Sequence, residues 1–377
     1  MNKRIFTPVL LFAMILGTNA QDDTYIMKRK TYKISPSSIN ISPDGSLLLT
    51  GFQDGSFRLM DPETFLVSLE VKGAHVKAVN AMDMPPKMDF VLTAGQKTIK
   101  LWDLAGKHIG NLNAHATTIW NVDISNDGKY AVSSAFNKTF LLWDLYNGEV
   151  LEKMQGHDDV TMSVSISPDN RWIASGSNDL SVRVWDIQTR QVVKTLHGPT
   201  QDVYDVAFSP DSRLVAVASK DRSVRVYNLE EEKLVHLLKG HRDMVMEVGF
   251  SPDGQYLASG SADQSIYLWD VGSGERIHAY LDNEEAVLDL VFHPDGKSFY
   301  SISFAGDLTK WAVHPEIFVL KYYEKPYRDE LEADPLFEPR RKGEAKKDYQ
   351  DRQSEAEAKK AEILKRYYQL YLDGRPQ

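Results

Sequence analysis

The 377-residue chain contains no cysteine, so disulfides, thiolate metal sites and a lipid-modified amino-terminal cysteine are all excluded. It has no basic excess either. The net charge is −9, the wrong sign for the phosphate attraction that nucleic-acid binding needs. Beyond residue 20 no apolar run is long enough to span a bilayer. Gly-rich phosphate loops are missing, and the ten histidines are scattered or periodic, without metal-ligand spacing on a helix. No cofactor or metal is therefore expected. What is present is 42% hydrophobic and 26% charged, the composition of a folded soluble protein whose core closes by packing alone.

The first twenty residues differ from the rest. Lys3 and Arg4 precede an apolar run from Ile5 to Leu16, and Gly17, Thr18, Asn19 and Ala20 follow. This is the pattern of a secretory signal peptide over 1–20, cut between Ala20 and Gln21. The run is too short to serve comfortably as a membrane anchor. The short basic start and Gln21 suggest a bacterial exported protein, in the periplasm or on the periplasmic face of the outer membrane. Extracellular release is the less favoured outcome. No direct membrane insertion is expected after cleavage.

A Trp-Asp-like pair recurs seven times: Met60-Asp61, Trp102-Asp103, Trp143-Asp144, Trp185-Asp186, Tyr227-Asn228, Trp269-Asp270 and Trp311-Ala312. The spacing is 42 residues throughout except for one interval of 41, which marks a repeat architecture. In the best-formed unit, Val164–Ile166 and Val182–Trp185 alternate with the period of two that strands require. Between strands lies Ser167-Pro168-Asp169-Asn170, a type I turn with proline setting φ at its second position. Each unit holds four short strands.

With a Gly156-His157 opening and a Trp185-Asp186 ending, the unit resembles the WD-repeat family. The resemblance runs from about Tyr25 to Trp311. It implies an all-β fold, a seven-bladed β-propeller of four-stranded antiparallel blades over residues 21–312. The segment Tyr25–Tyr32 stands where an outer strand belongs, so it is expected to complete the last blade. That would join the chain ends and remove an open edge.

His157, Ser175 and Asp179, and again His241, Ser259 and Asp263, hold the residue types of a hydrolase triad. A catalytic set occurs once, whereas this one recurs with the blades and decays in others. The resemblance assigns both sets, together with Trp185 and Trp269, to a structural hydrogen-bond network. No enzyme activity is expected.

Five residues after each His position the resemblance places the mouth of the central channel. Those positions carry Ser37, Asn80, Trp120, Met162, Tyr204, Met246 and Leu288. The resemblance brings the residue before the turn Asp near them, and two of these are Phe136 and Phe304. The acids Asp158, Asp159, Asp202, Asp205, Glu247, Glu284, Glu285 and Asp289 are expected to rim this apolar arc. Aromatic residues inside a polar rim mark an interface, so Trp120, Phe136, Met162, Tyr204, Met246, Leu288 and Phe304 are the candidate partner contacts. The bland alternative is that they simply fill the channel mouth.

From Val313 the repeat stops and the charges balance, 14 basic against 14 acidic. Four prolines between Pro315 and Pro339 suggest an extended, aromatic-rich arm over 313–343. A single helix is expected over 344–377. Its stripe of Ile363, Tyr367, Leu370 and Tyr371 would face either the propeller or another protein.

These readings converge on a non-catalytic protein-interaction scaffold in the bacterial cell envelope. It would belong to a secretion, surface-assembly or motility complex and bind other envelope subunits. A small-ligand binder or enzyme with a channel site, and a transient regulatory peptide-binding module, are the alternatives.

Overall fold

The computed structural model describes residues 25–341 and 344–374. The signal segment expected over 1–20 lies outside the described residues. The contacts divide the chain into two units, Ile26–Ala312 and the segment that begins at Val313, the latter including Tyr25.

The first unit is a ring of seven four-stranded antiparallel sheets. Blade 1 runs outward from Pro36–Ile41 through Leu48–Phe52 and Phe57–Met60 to Val67–Val71. Blades 2 to 6 repeat this plan with innermost strands Ala81–Asp83, Ile119–Ile124, Thr161–Ile166, Val203–Phe208 and Val245–Phe250. Blade 7 takes three strands from Val287 to Ala312 and its outer strand from Ile26–Thr31. The closing pair is antiparallel, with Lys28 opposite Lys310 and Thr31 opposite Asp307. This is the closure expected from the sequence.

The core lies between blades. Ala174, Val182 and Val184 of blade 4 pack with Val203, Val206 and Val217 of blade 5 in one buried cluster. The approach is close enough that a Cβ on Gly176 would stand 2.5 Å from a Val203 methyl carbon, which requires glycine there. The turns follow their composition. In the first, Gly45 sits at φ +74° and its N–H donates to the Ser42 carbonyl at 2.8 Å.

The His-Ser-Asp sets lie inside the blades. Asp179 accepts a hydrogen bond from His157 Nδ1 at 2.8 Å, and the Ser175 hydroxyl meets His157 Nε2 at 2.7 Å. Trp185 Nε1 donates to the same hydroxyl at 2.8 Å. His241, Ser259, Asp263 and Trp269 repeat the arrangement. Ser175 and Ser259 are fully buried, so no substrate carbonyl reaches either hydroxyl. Burial pushes the Asp179 carboxyl up. Hydrogen bonds from His157, Ser181 and the Asp158 N–H outweigh it and hold the group well below the usual carboxylate range.

Blades 2 and 3 carry a shortened form of the network. His75 and Trp102 meet on Thr93, and His115 and Trp143 meet on Ser133. Burial lowers the His75 and His115 pKa values to about 4, so both rings are neutral at physiological pH. Blade 5 replaces the histidine device with a buried Arg225–Asp221 ion pair at 2.9 Å.

The second unit corrects the expected extended arm. Pro315–Ala333 is an α-helix, α1, followed by a 3-10 turn at Pro335–Phe337 and a second helix, α2, at Lys346–Asp373. Pro315 occupies the first turn, where its missing N–H costs nothing, and the His314 side chain accepts from the Glu316 N–H. Pro326 leaves only a local kink, with Tyr323 at φ −133° and ψ 21°. Val319, Tyr323, Tyr327 and Leu331 recur every four residues, and this apolar stripe outweighs one interior proline. It packs with Phe337, Ala356 and Ile363 into a small core of its own.

Candidate functional site

The innermost strands place the candidate residues by one recurrent irregularity. In the inner strand pair of every blade but the second, the register slips by one residue at the channel entrance. Val203 pairs with Ser219 and Asp205 with Ala218, which leaves Tyr204 as the extra residue. Trp120, Met162, Met246 and Leu288 occupy the same place in blades 3, 4, 6 and 7, and Ser37 does so in blade 1. A bulge breaks the period-two alternation and re-aims the extra side chain. Tyr204 and its neighbour Asp205 therefore both line the channel cavity, where strict alternation would send them to opposite faces.

That cavity has a volume of about 460 Å³. Trp120, Met162, Tyr204, Met246, Leu288 and Phe304 line it, and Phe136 is outside the lining. Trp120, Phe136 and Phe304 are exposed at 46%, 58% and 63%, values high enough for a partner to gain by covering them. Met162 is buried, and Tyr204, Met246 and Leu288 are half-buried.

The acids divide in a way the sequence did not reveal. Asp158, Asp159, Glu284 and Glu285 are exposed, and Asp202 pairs with Lys220 at 3.0 Å. Asp205, Glu247 and Asp289 are not on the rim. They lie in the cavity wall. Most of the inner-strand carboxyls also tie one blade to the next. Asp289 Oδ2 accepts the Ile39 N–H at 2.9 Å across the ring closure. Asp205 accepts from Val248 N–H at 3.1 Å and from the Ser163 hydroxyl at 2.7 Å. Asp83 and Asp123, absent from the sequence-based candidates, do the same with the Ile124 and Ile166 N–H groups. An acid standing inside an otherwise apolar strand was the available signal for these two.

Burial pushes all five carboxyls upward, Asp123 to about 6 and Asp289 to about 7. The Asp205 carboxyl adds to the shift of Asp289. A carboxyl whose folded pKa is raised holds its proton longer in the folded state. Its contribution to stability is fully present below the unfolded value near 3.8 and is lost as pH rises through about 7. Asp289→Asn keeps an oxygen for the Ile39 N–H and never ionises. Its melting temperature should therefore rise relative to wild type between about pH 4 and pH 7. A constant difference across that range would contradict the assignment. The comparison is differential because His75 and His115 act in the opposite sense between about 6.5 and 4.

In the second unit, three of the four tail candidates turn inward. Ile363 is buried in the helix pair. Tyr367 packs edge-on to Tyr327 and hydrogen-bonds Glu330. Tyr371 is buried and stacks on Phe318 and Tyr322. Leu370 alone stays exposed, at 47%. Among the described residues, no cluster of His, Asp and Glu has metal-holding geometry, and no helix is long and apolar enough to cross a membrane.

Fold and site together define a repeat-built propeller whose channel mouth is lined by the bulged residues of its inner strands. The chain belongs to the WD domain, G-beta repeat family, whose pattern matches residues 29–61, 66–103, 106–144, 148–186, 190–228 and 232–270. The seventh unit, with Asn283 at the His position and Ala305 at the Asp position, falls outside those matches. Among curated proteins, the chain is 26% identical over 129 residues to the nuclear distribution protein PAC1 of Candida albicans, 33% of this chain and 26% of that protein. It is 30% identical over 121 residues to the LEC14B protein of Lithospermum erythrorhizon, 30% of this chain and 25% of that protein. It is 26% identical over 109 residues to the DDB1- and CUL4-associated factor 10 of Xenopus tropicalis, 28% of this chain and 24% of that protein. The chain thus spans about a quarter of the length of the relatives it matches.

Proposed function

We propose that this protein is a non-catalytic interaction scaffold that captures a segment of another protein at the channel mouth. The observation that carries the proposal is the set of bulges, which directs large apolar side chains from consecutive blades into one cavity, where Trp120 and, from the turn after Ser303, Phe304 stay exposed. The names of two relatives point the same way, one a nuclear distribution protein and one a factor associated with two other proteins. The buried state of Ser175 and Ser259 argues against hydrolysis at the His-Ser-Asp sets.

The proposal extends to place. The pattern from Lys3 to Ala20 supports export into the envelope of a bacterium, to the periplasm or the periplasmic face of the outer membrane. There the protein would serve a secretion, surface-assembly or motility complex. The mass of the mature chain tests this step, with Gln21 expected as its first residue. A chain retained in the cytoplasm with Met1 in place would contradict it.

A photoreactive amino acid at Trp120, and another at Leu370 in the tail, tests the scaffold reading in cells. Crosslinks from Trp120 to a discrete protein are expected. No protein adduct from a folded Trp120 probe would overturn capture at the mouth. The cavity volume also lies in the range of small-molecule sites, which supports a channel-bound ligand as the second reading. Labelling of a small molecule alone would favour it.

A further inference from the structure

The captured segment can be specified further from the wall of the cavity, on the premise that the mouth binds a protein as proposed above. Three carboxyls, Asp205, Glu247 and Asp289, share the cavity lining with the apolar ring, each next in sequence to a bulged residue. Asp205 spends both oxygens on Ser163 and Val248, and Asp289 spends one on Ile39. Among the described residues no backbone N–H donates to the Glu247 carboxyl, which stands close to Asp205 and is repelled by Asp205 and Asp289. Among the described residues no lysine or arginine pairs with any of the three. The wall therefore concentrates acidic groups that burial and mutual repulsion keep from ionising freely, and among the described residues it places no cation against them. Burial, reinforced by this repulsion, drives Glu247 well above the usual carboxylate range.

Three kinds of inserted side chain meet this wall differently. An acidic one adds a further carboxyl to a cluster whose members already oppose one another's ionisation. An apolar one seals off from water the carboxyl oxygens that have no donor, those of Glu247 above all, which is costly. A lysine or arginine runs its methylene stem along Met162, Tyr204, Met246 and Leu288 and brings its cationic head to Glu247 and Asp289. Exposed Trp120 and Phe304 then cover the adjoining residues of the segment. We propose that the partner segment inserts one basic side chain into the channel, where Glu247 and Asp289 receive it.

Selection of a random-peptide library on the full-length protein, followed by resynthesis of the recovered peptides, tests the proposal. Recovered peptides should share one lysine or arginine whose replacement by norleucine weakens binding by about tenfold or more. Glu247→Gln should weaken the same peptides to a similar degree, and Glu149→Gln on an outer strand should not. The norleucine comparison stands even if Glu247→Gln fails to fold. Peptides that need Trp120 but bind equally well with norleucine, or equally well to Glu247→Gln, would overturn the basic anchor and leave capture at the mouth intact. Peptides indifferent to Trp120→Ala, or an empty selection, would overturn both.

Discussion

Trp143→Ala is expected to cost about 3–5 kcal/mol in unfolding free energy, a large part of the stability of an ordinary domain. Trp143 is 1% exposed and sits in the cluster shared by blades 2 and 3. Its removal opens a cavity between Ile124, Ala131 and Leu141, which the rigid sheets cannot refill. It also strips the Ser133 hydroxyl of the indole N–H that reaches it at 2.7 Å, in a buried network with His115. Trp143→Phe separates the two effects, since it retains most of the volume and loses the hydrogen bond, about 1 kcal/mol. Urea unfolding measures both. A loss below about 1 kcal/mol for the alanine variant would contradict the packing described.

Excising Ile26–Thr31 is expected to do comparable damage by another route. These six residues are the outer strand of blade 7 and the strand that carries the chain from blade 7 into blade 1, adding a backbone ladder to the Asp289–Ile39 bond and the core that blades 7 and 1 share. Their ladder with Asp307–Trp311, at roughly 0.5–1.5 kcal/mol per bond, amounts to about 5 kcal/mol. The Thr31 hydroxyl bond to Asp307 at 2.5 Å and the Arg29 guanidinium over Trp311 are lost as well. The strand Asp307–Ala312 becomes a bare edge, which templates pairing with other chains. Light scattering should show aggregates at concentrations where the intact protein is monodisperse. A monodisperse variant with an unchanged melting temperature would mean that the ring does not depend on this strand.

Much of this fold was legible because the period is regular and each unit carries its own punctuation. Even blade 1, with Met60 at the Trp position, and blade 7, with Trp311-Ala312, kept their place in the count. The closing strand could be read because Tyr25–Tyr32 stands one period before its counterparts. The cavity was legible only in part. Residue spacing located Tyr204 and Met246, but a bulge is a backbone event with no residue signature in these strands. The sequence therefore put Asp205, Glu247 and Asp289 on the rim, when they belong in the wall. The tail misled for a different reason. Prolines at 315 and 326 suggest a broken chain, yet one sits harmlessly in a first turn and the other only kinks a helix anchored by Val319, Tyr327 and Leu331.

The hydrogen-bond networks inside the blades and the carboxyl ties between them give a scaffold that repeats, while the mouth differs from blade to blade. The proposed capture of a partner rests on that difference. It is tested most directly by recovery of the crosslinked or co-purifying partner from cells carrying Trp120→Ala/Tyr204→Ala. Both side chains open onto the cavity, one exposed and one half-buried, so the double variant should retain the cooperative unfolding of the wild type. The account predicts that the folded double variant no longer recovers the partner. Recovery at the wild-type level from that same folded protein would contradict it.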